Sequence, residues 1–249
     1  MRYWSGVVHQ GQNTGVWASS LCVGAVLFAG SATAQSISPV LIELSPARPV
    51  SSVTLSNTTD HARLCQVDGL AWTQRDGADA YERSAELLVT PAIVEIPAGE
   101  SQVFRVARRG PPASGSEEAY RLILEDITEA APPSQTAAQV NLRLRFSLPV
   151  FATPSASGQP APAWSLCDAP VGKGCIRLDN NGAKRFRFSR LQGETETWRG
   201  PIVRGDTVLA GAWKSWLFDM PPATAGPFTV TALVAGRAVT ATVGAAPGR

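Results

Sequence analysis

The stretch "QVNLRLRFSLPVFATP", Gln139 to Pro154, places an apolar residue at every second position: Val140, Leu142, Leu144, Phe146, Leu148 and Val150. A period of two specifies a strand with one apolar face and excludes a helix, whose apolar positions recur every three to four residues. The other face carries Asn141, Arg143, Arg145 and Ser147, and the run stops at a proline. Alternation of the same kind marks "ISPVLIEL", "SSVTLSN", "RLCQVDGLAW", "AIVEIP", "SQVFRVAR" and "AYRLILEDI" upstream. Turn-forming clusters such as "NTTD", "QRDGAD" and "RRGPPASG" separate them. Seven such strands within about 115 residues predict an immunoglobulin-like sandwich.

The uncharged stretch "TPSASGQPAP", Thr153 to Pro162, reads as a connection between domains. Beyond it a second β pattern runs through "AWSLC", "CIRLDN", "KRFRFSRL", "TVLAGAWKSWLF", "PFTVTALVAG" and "RAVTATVG". At the other end, "LCVGAVLFAG" followed by "SATAQ" has the short apolar run and small residues of a secretory signal cleaved after Ala34. Ten residues are too few for a membrane-spanning helix, which needs about 20. The expected organisation is a signal peptide over 1–34, a first domain over 35–152, a linker over 153–162 and a second domain over 163–249. The fold class is all-β, with two immunoglobulin-like β-sandwich domains.

Export suits the cysteines. Cys22 leaves with the signal, while Cys167 and Cys175 bracket the turn-rich "DAPVGKG" and are expected to form a disulfide between adjacent strands. Cys65, in an alternating run, is expected to be a buried small hydrophobe. The net charge of +2 falls with the loss of Arg2, which argues against nucleic acid as a partner.

Catalytic chemistry has little to stand on. His61 is the one histidine after Ala34, and no nucleophile elbow, phosphate loop or metal-ligand spacing is present. The carboxylates Glu117–Glu118 and Glu125–Asp126 read as the solvated borders of a strand, and "NTT" at Asn57 matches the glycosylation acceptor pattern. The expectation is a binding protein with no catalytic residue, no metal, no cofactor and no membrane insertion.

The segments "LLVTPAIVEIPAGESQVFRVAR", "EEAYRLILEDI" and "LRFSLPVF", in this order after a signal peptide, resemble the periplasmic chaperones of chaperone–usher pilus assembly, closest to the archaic branch. The resemblance is strong over Ile37–Phe151 and weaker beyond. It implies a boomerang arrangement of the two sandwiches, a periplasmic location, and pilin or fimbrial subunits and an outer-membrane usher as partners. It also gives the opening strand a task. Such chaperones complete a subunit's open groove with their own last first-domain strand, adding backbone hydrogen bonds and alternate apolar side chains. Val140 and Leu142, with Ala138 and Leu144, then form the donated part, while Phe146, Leu148 and Val150 belong to the chaperone's own core.

The resemblance further implies a basic anchor for the subunit's terminal carboxylate in the cleft between domains. Arg145 matches that position and Arg143, on the same face, is the alternative; a guanidinium can grip a carboxylate with two parallel hydrogen bonds. A second base found on the family's first strand corresponds here to Leu41, so either another base, such as Arg121, substitutes for it or the subunit is anchored differently. The rival reading of the same sandwiches is a structural or adhesive surface protein.

Overall fold

The computed structural model describes residues 35–110, 112, 115–129, 143–155, 158–220 and 227–243. No helix occurs among them. The first sandwich sets a four-stranded antiparallel sheet against a larger one. The four-stranded sheet runs β1 (Ser36–Ser38), β3 (Val50–Ser56), β8 (Ser101–Arg108) and β6 (Leu87–Thr90). The facing sheet runs β2 (Ile42–Leu44), β10 (Arg145–Ala152), β9 (Glu118–Asp126), β4 (Arg63–Arg75) and β5 (Ala78–Arg83), with β7 (Ile93–Ile96) also on β4. Alternation does what it predicts. Tyr120, Leu122 and Leu124 of β9 meet Phe104 and Val106 of β8 in the core, while Arg121 and Glu125 lie on the outer face.

One expectation is corrected in this half, and one expected turn gains a strand beyond it. "ISPVLIEL" is not one strand: the chain breaks at Pro39–Leu41, leaves the four-stranded sheet as β1 and rejoins the other as β2, parallel to β10. Proline has no N–H to offer a ladder, so the change of sheet falls where pairing must lapse. The "QRDGAD" cluster, expected only as a turn, is the tip of a β4–β5 hairpin, with Asp76 and Gly77 at φ 51° and 77°. Two successive left-handed residues make the tight turn whose twist matches the flanking strands.

The second sandwich packs β11 (Pro162–Leu166), β12 (Lys173–Asn180) and β17 (Trp213–Asp219) against β15 (Arg199–Val203), β14 (Leu191–Glu194), β18 (Phe228–Val234) and β19 (Arg237–Val243). A short pair, β13 (Phe186–Phe188) and β16 (Asp206–Val208), completes it. Ile176, Leu178, Phe186, Phe188, Phe218 and Phe228 fill the core. Cys167 and Cys175 are joined by a disulfide across the β11–β12 hairpin, and Cys65 is a buried free thiol.

We propose to divide the chain between these two cores, at Thr153–Pro162. Both ends of that stretch are tied down, more firmly than its composition suggests. Thr153 donates its N–H to the Leu44 carbonyl (2.9 Å), and the Ala161 N–H reaches Asn180 Oδ1 (3.1 Å). A third apolar cluster joins the halves: Trp72, Phe151 and Leu209, with Leu41, Ala119 and Ala212 against them.

Candidate functional site

β10 is paired unequally on its two sides. β9 accompanies it over all of Arg145–Ala152, whereas β2 covers the other edge only at Val150, Phe151 and Ala152. From Arg145 to Pro149 that second edge has no partner among the described residues. Leu148 and Val150 are buried in the first core and Phe146 is packed against it, as the alternation requires. Leu144 is half-buried and lines a small hollow with Leu55, Cys65 and Phe146. Ala138, Val140 and Leu142 lie outside the described residues.

The outer face of this sheet carries the bases. Arg143 is exposed, and Arg145 Nε lies 3.7 Å from Glu125 Oε2 across the rung that pairs them. With both side chains more than half exposed, that pair contributes at most about 1 kcal/mol. Arg145 stands on the exposed outer face of the sheet, away from the apolar seam. Six residue steps of extended chain separate it from Phe151 at the seam, a span of about 20 Å. Arg121, paired with Pro149, stands much nearer that seam. Its guanidinium stacks 4.0 Å from the centre of the Trp72 ring, and its buried Nε has no hydrogen-bond partner. Leu41 is half-buried in the apolar cluster beside it, so hydrocarbon stands where a second base was looked for.

Two polar junctions flank that cluster, and sequence reasoning missed both. On one side Arg185 reaches Glu43 and Glu117 and lies 3.7 Å from the centre of the Phe151 ring. On the other, Lys214 Nζ sits 3.2 Å from Asp79 and 2.9 Å from Asp206, while Gln74 accepts from the Leu209 N–H and donates to the Thr207 carbonyl. Burial alone would raise the Asp79 pKa, but hydrogen bonding from Gln74 and the Lys214 charge outweigh it and hold it below the usual carboxylate value. No spacing links residues so far apart in the chain.

Of the strand-border carboxylates only Glu125 is solvated. Glu117 and Asp126 are buried, each against a guanidinium, Arg185 and Arg63 respectively. Glu118 takes the Arg108 Nε–H at 2.6 Å. Asn57 is 1% exposed and spends its amide on the carbonyls of His61, Ile96 and Pro97, so a glycan there would require the loop to unfold. His61 is exposed, its ring bonded to Asp60 and its carbonyl accepting from the Thr59 hydroxyl.

Solved structures share this all-β, two-sandwich fold. The crystal structure of the CsuC–CsuE chaperone–tip adhesion subunit pre-assembly complex, from archaic chaperone–usher Csu pili of Acinetobacter baumannii, matches with a TM-score of 0.66 and 22% identity. The match covers 86% of this chain and 100% of that one. The SafB chaperone with the SafA pilin of Salmonella enterica matches at 0.60 and 15% identity, over 86% of this chain and 99% of that one. The Pseudomonas aeruginosa CupB2 chaperone matches at 0.55 and 14%, over 85% and 100%. At such identities the likeness is one of fold. No curated protein matches in sequence. Residues 35–157, however, match the family described as pili and flagellar-assembly chaperone, PapD N-terminal domain, and this segment of the chain belongs to that family.

Proposed function

We propose that this chain is a periplasmic pilus-assembly chaperone that captures pilin-type subunits on the open edge of β10 and passes them to an outer-membrane usher. The observation that carries the reading is the uneven pairing of β10: one side fully laddered, the other unpaired among the described residues until β2 begins. A strand that is rigid on one side and open on the other is a template for strand addition, and left uncovered it is an aggregation hazard. An added strand has room down to the start of β2, beside Leu41. Its terminal carboxylate would meet Arg121 there, and Arg121 is a stronger anchor than Arg145 because its buried Nε lacks a partner. Arg145 and Arg143 lie further up the same edge, where they suit the body of the bound strand. Residues 1–34 fit an export signal removed after Ala34, so the exported chain should begin at Gln35 by mass spectrometry.

The test uses two substitutions in one strand pattern. Leu142→Asp should leave the melting temperature of the free protein almost unchanged and abolish co-purification with a pilin-type subunit. A carboxylate carried into an apolar groove without a partner is penalised by several kcal/mol, on the order of 3 or more. Leu148→Asp, at 5% exposure, should unfold the first domain with or without a subunit. If both variants melt equally low, Leu142 is ordinary core and the donated strand is lost as an explanation.

A further inference from the structure

A cleft of about 910 Å³ lies away from the β10 edge. It opens beyond β2, where the end of that strand and its following loop face β13 of the second domain. Its walls carry four cations, Arg48, Lys184, Arg185 and Arg187, against two carboxylates, Glu43 and Glu117. Both carboxylates are already engaged by Arg185, which is itself largely buried. Arg48, Lys184 and Arg187 have no ion-pair partner among the described residues, and Arg48 and Arg187 are exposed. The cleft therefore holds uncompensated positive charge, in a chain whose net charge over 249 residues is only +2.

Backbone is on offer there too. Among the described residues β2 ends its sheet and β13 pairs with β16 alone, so each brings an unpaired edge to the opening. The room, the charge and the edges agree on one occupant. We propose that this cleft is a second docking site, built for an acidic segment of a partner protein bound in extended conformation. Carboxylates on the segment answer Arg48, Lys184 and Arg187, and its backbone can add to β2 or β13. β2 stands between this cleft and the open stretch of β10, so a partner here does not compete for the edge where a subunit would sit. The inference does not depend on the chaperone reading, because its charge and edges are counted on a different wall.

A fluorescein-labelled decapeptide of alternating glutamate and valine, titrated with the full chain and followed by fluorescence anisotropy, tests the proposal. The glutamate peptide should bind, and a lysine–valine peptide of the same length should not. Lys184→Glu with Arg187→Glu should weaken binding by about tenfold or more, and Arg48→Glu on the opposite wall should weaken it independently. All three sites are at the surface, and an unchanged melting temperature certifies each variant. Equal binding of the lysine peptide, or a glutamate peptide indifferent to all three substitutions, overturns the site. Displacement of the peptide by inorganic phosphate at equal concentration would make it a small-anion pocket and overturn the extended occupant. Scoring subunit co-purification in the same variants keeps a failure here separate from a failure at β10.

Discussion

Asn57 and Asn180 hold the same post in the two sandwiches and hold it differently. Each sits at the end of a strand and is 1% exposed. Each sends its amide to the carbonyl four residues on, His61 or Lys184, and to two consecutive carbonyls elsewhere, Ile96 and Pro97 or Val208 and Leu209. Each accepts, on Oδ1, the N–H two residues ahead. The remaining bond separates them. Asn57 takes the Thr59 hydroxyl and so closes within its own loop, whereas Asn180 takes the Ala161 N–H of the connection. Leu209, which Asn180 also holds, belongs to the cluster between the domains. One device is local; the other is wired into the joint.

The largest effect that could break this contrast is on stability. Asn57→Ala and Asn180→Ala should each remove about 3–5 kcal/mol, since several buried backbone groups lose their partner at once. Hydrogen exchange should tell them apart. Asn180→Ala should also lose protection at Ala161 and Leu209, and a pattern confined to residues 176–184 would show that the second knot is as local as the first.

Next comes the same question for the two arginines of the open edge. Arg121→Ala should weaken subunit capture by about 1.5–3 kcal/mol, measured by titrating captured subunit. Arg145→Ala, whose partner is an exposed glutamate on the neighbouring strand, should lose at most about 1 kcal/mol. The reverse order would move the anchor away from the joint.

Acid should open the joint before it opens either core. Asp79 has a depressed pKa in the folded protein, so its contribution is present above the ordinary carboxylate value and is lost as pH falls through the folded one. Below about pH 4 the Lys214 junction should therefore weaken, visible as increased proteolysis at the β4–β5 turn. Asp79→Asn should flatten that dependence. Asp60, held low by its exposed bond to His61, lies far from the joint and its removal should leave the profile intact.

The smallest expected signal concerns sulfur. Burial pushes the Cys65 thiol up to about 11, with the Asp126 charge adding to the shift, so iodoacetamide should not label the native protein. Unfolding without reductant should expose one thiol in the exported chain. A second alkylated cysteine would mean the β11–β12 hairpin is not closed.

Legibility followed side-chain alternation. Strands with one buried face, such as β8, β9 and β10, could be read directly because burial imposes the period of two. β5 could not, since Asp79, Glu82 and Arg83 sit on an exposed edge with no apolar face to announce it, though Asp76–Gly77 signalled the turn. "KRFRFSRL" and "TVLAGAWKSWLF" each looked like one strand and are two, because continuous β-formers hide a change of partner. The joint was invisible for another reason. Glu117 and Arg185 are 68 residues apart, and their meeting is decided by how two finished sandwiches pack. At the open edge the alternation marked the strand, and only pairing on the far side could reveal which stretch of it is unoccupied.

Gly77, at the tip of the β4–β5 turn, has a consequence for the elbow. A Cβ built there would lie 2.7 Å from the Trp213 ring of the second domain, closer than two carbon atoms can approach. Its φ of 77° already restricts the position to glycine or an asparagine-like residue. The hairpin thus acts as a shim of minimum thickness between two rigid blocks. Any side chain at 77 would be a wedge, levering the blocks apart about the Trp72–Phe151–Leu209 fulcrum and resetting their angle while each sandwich kept its own shape.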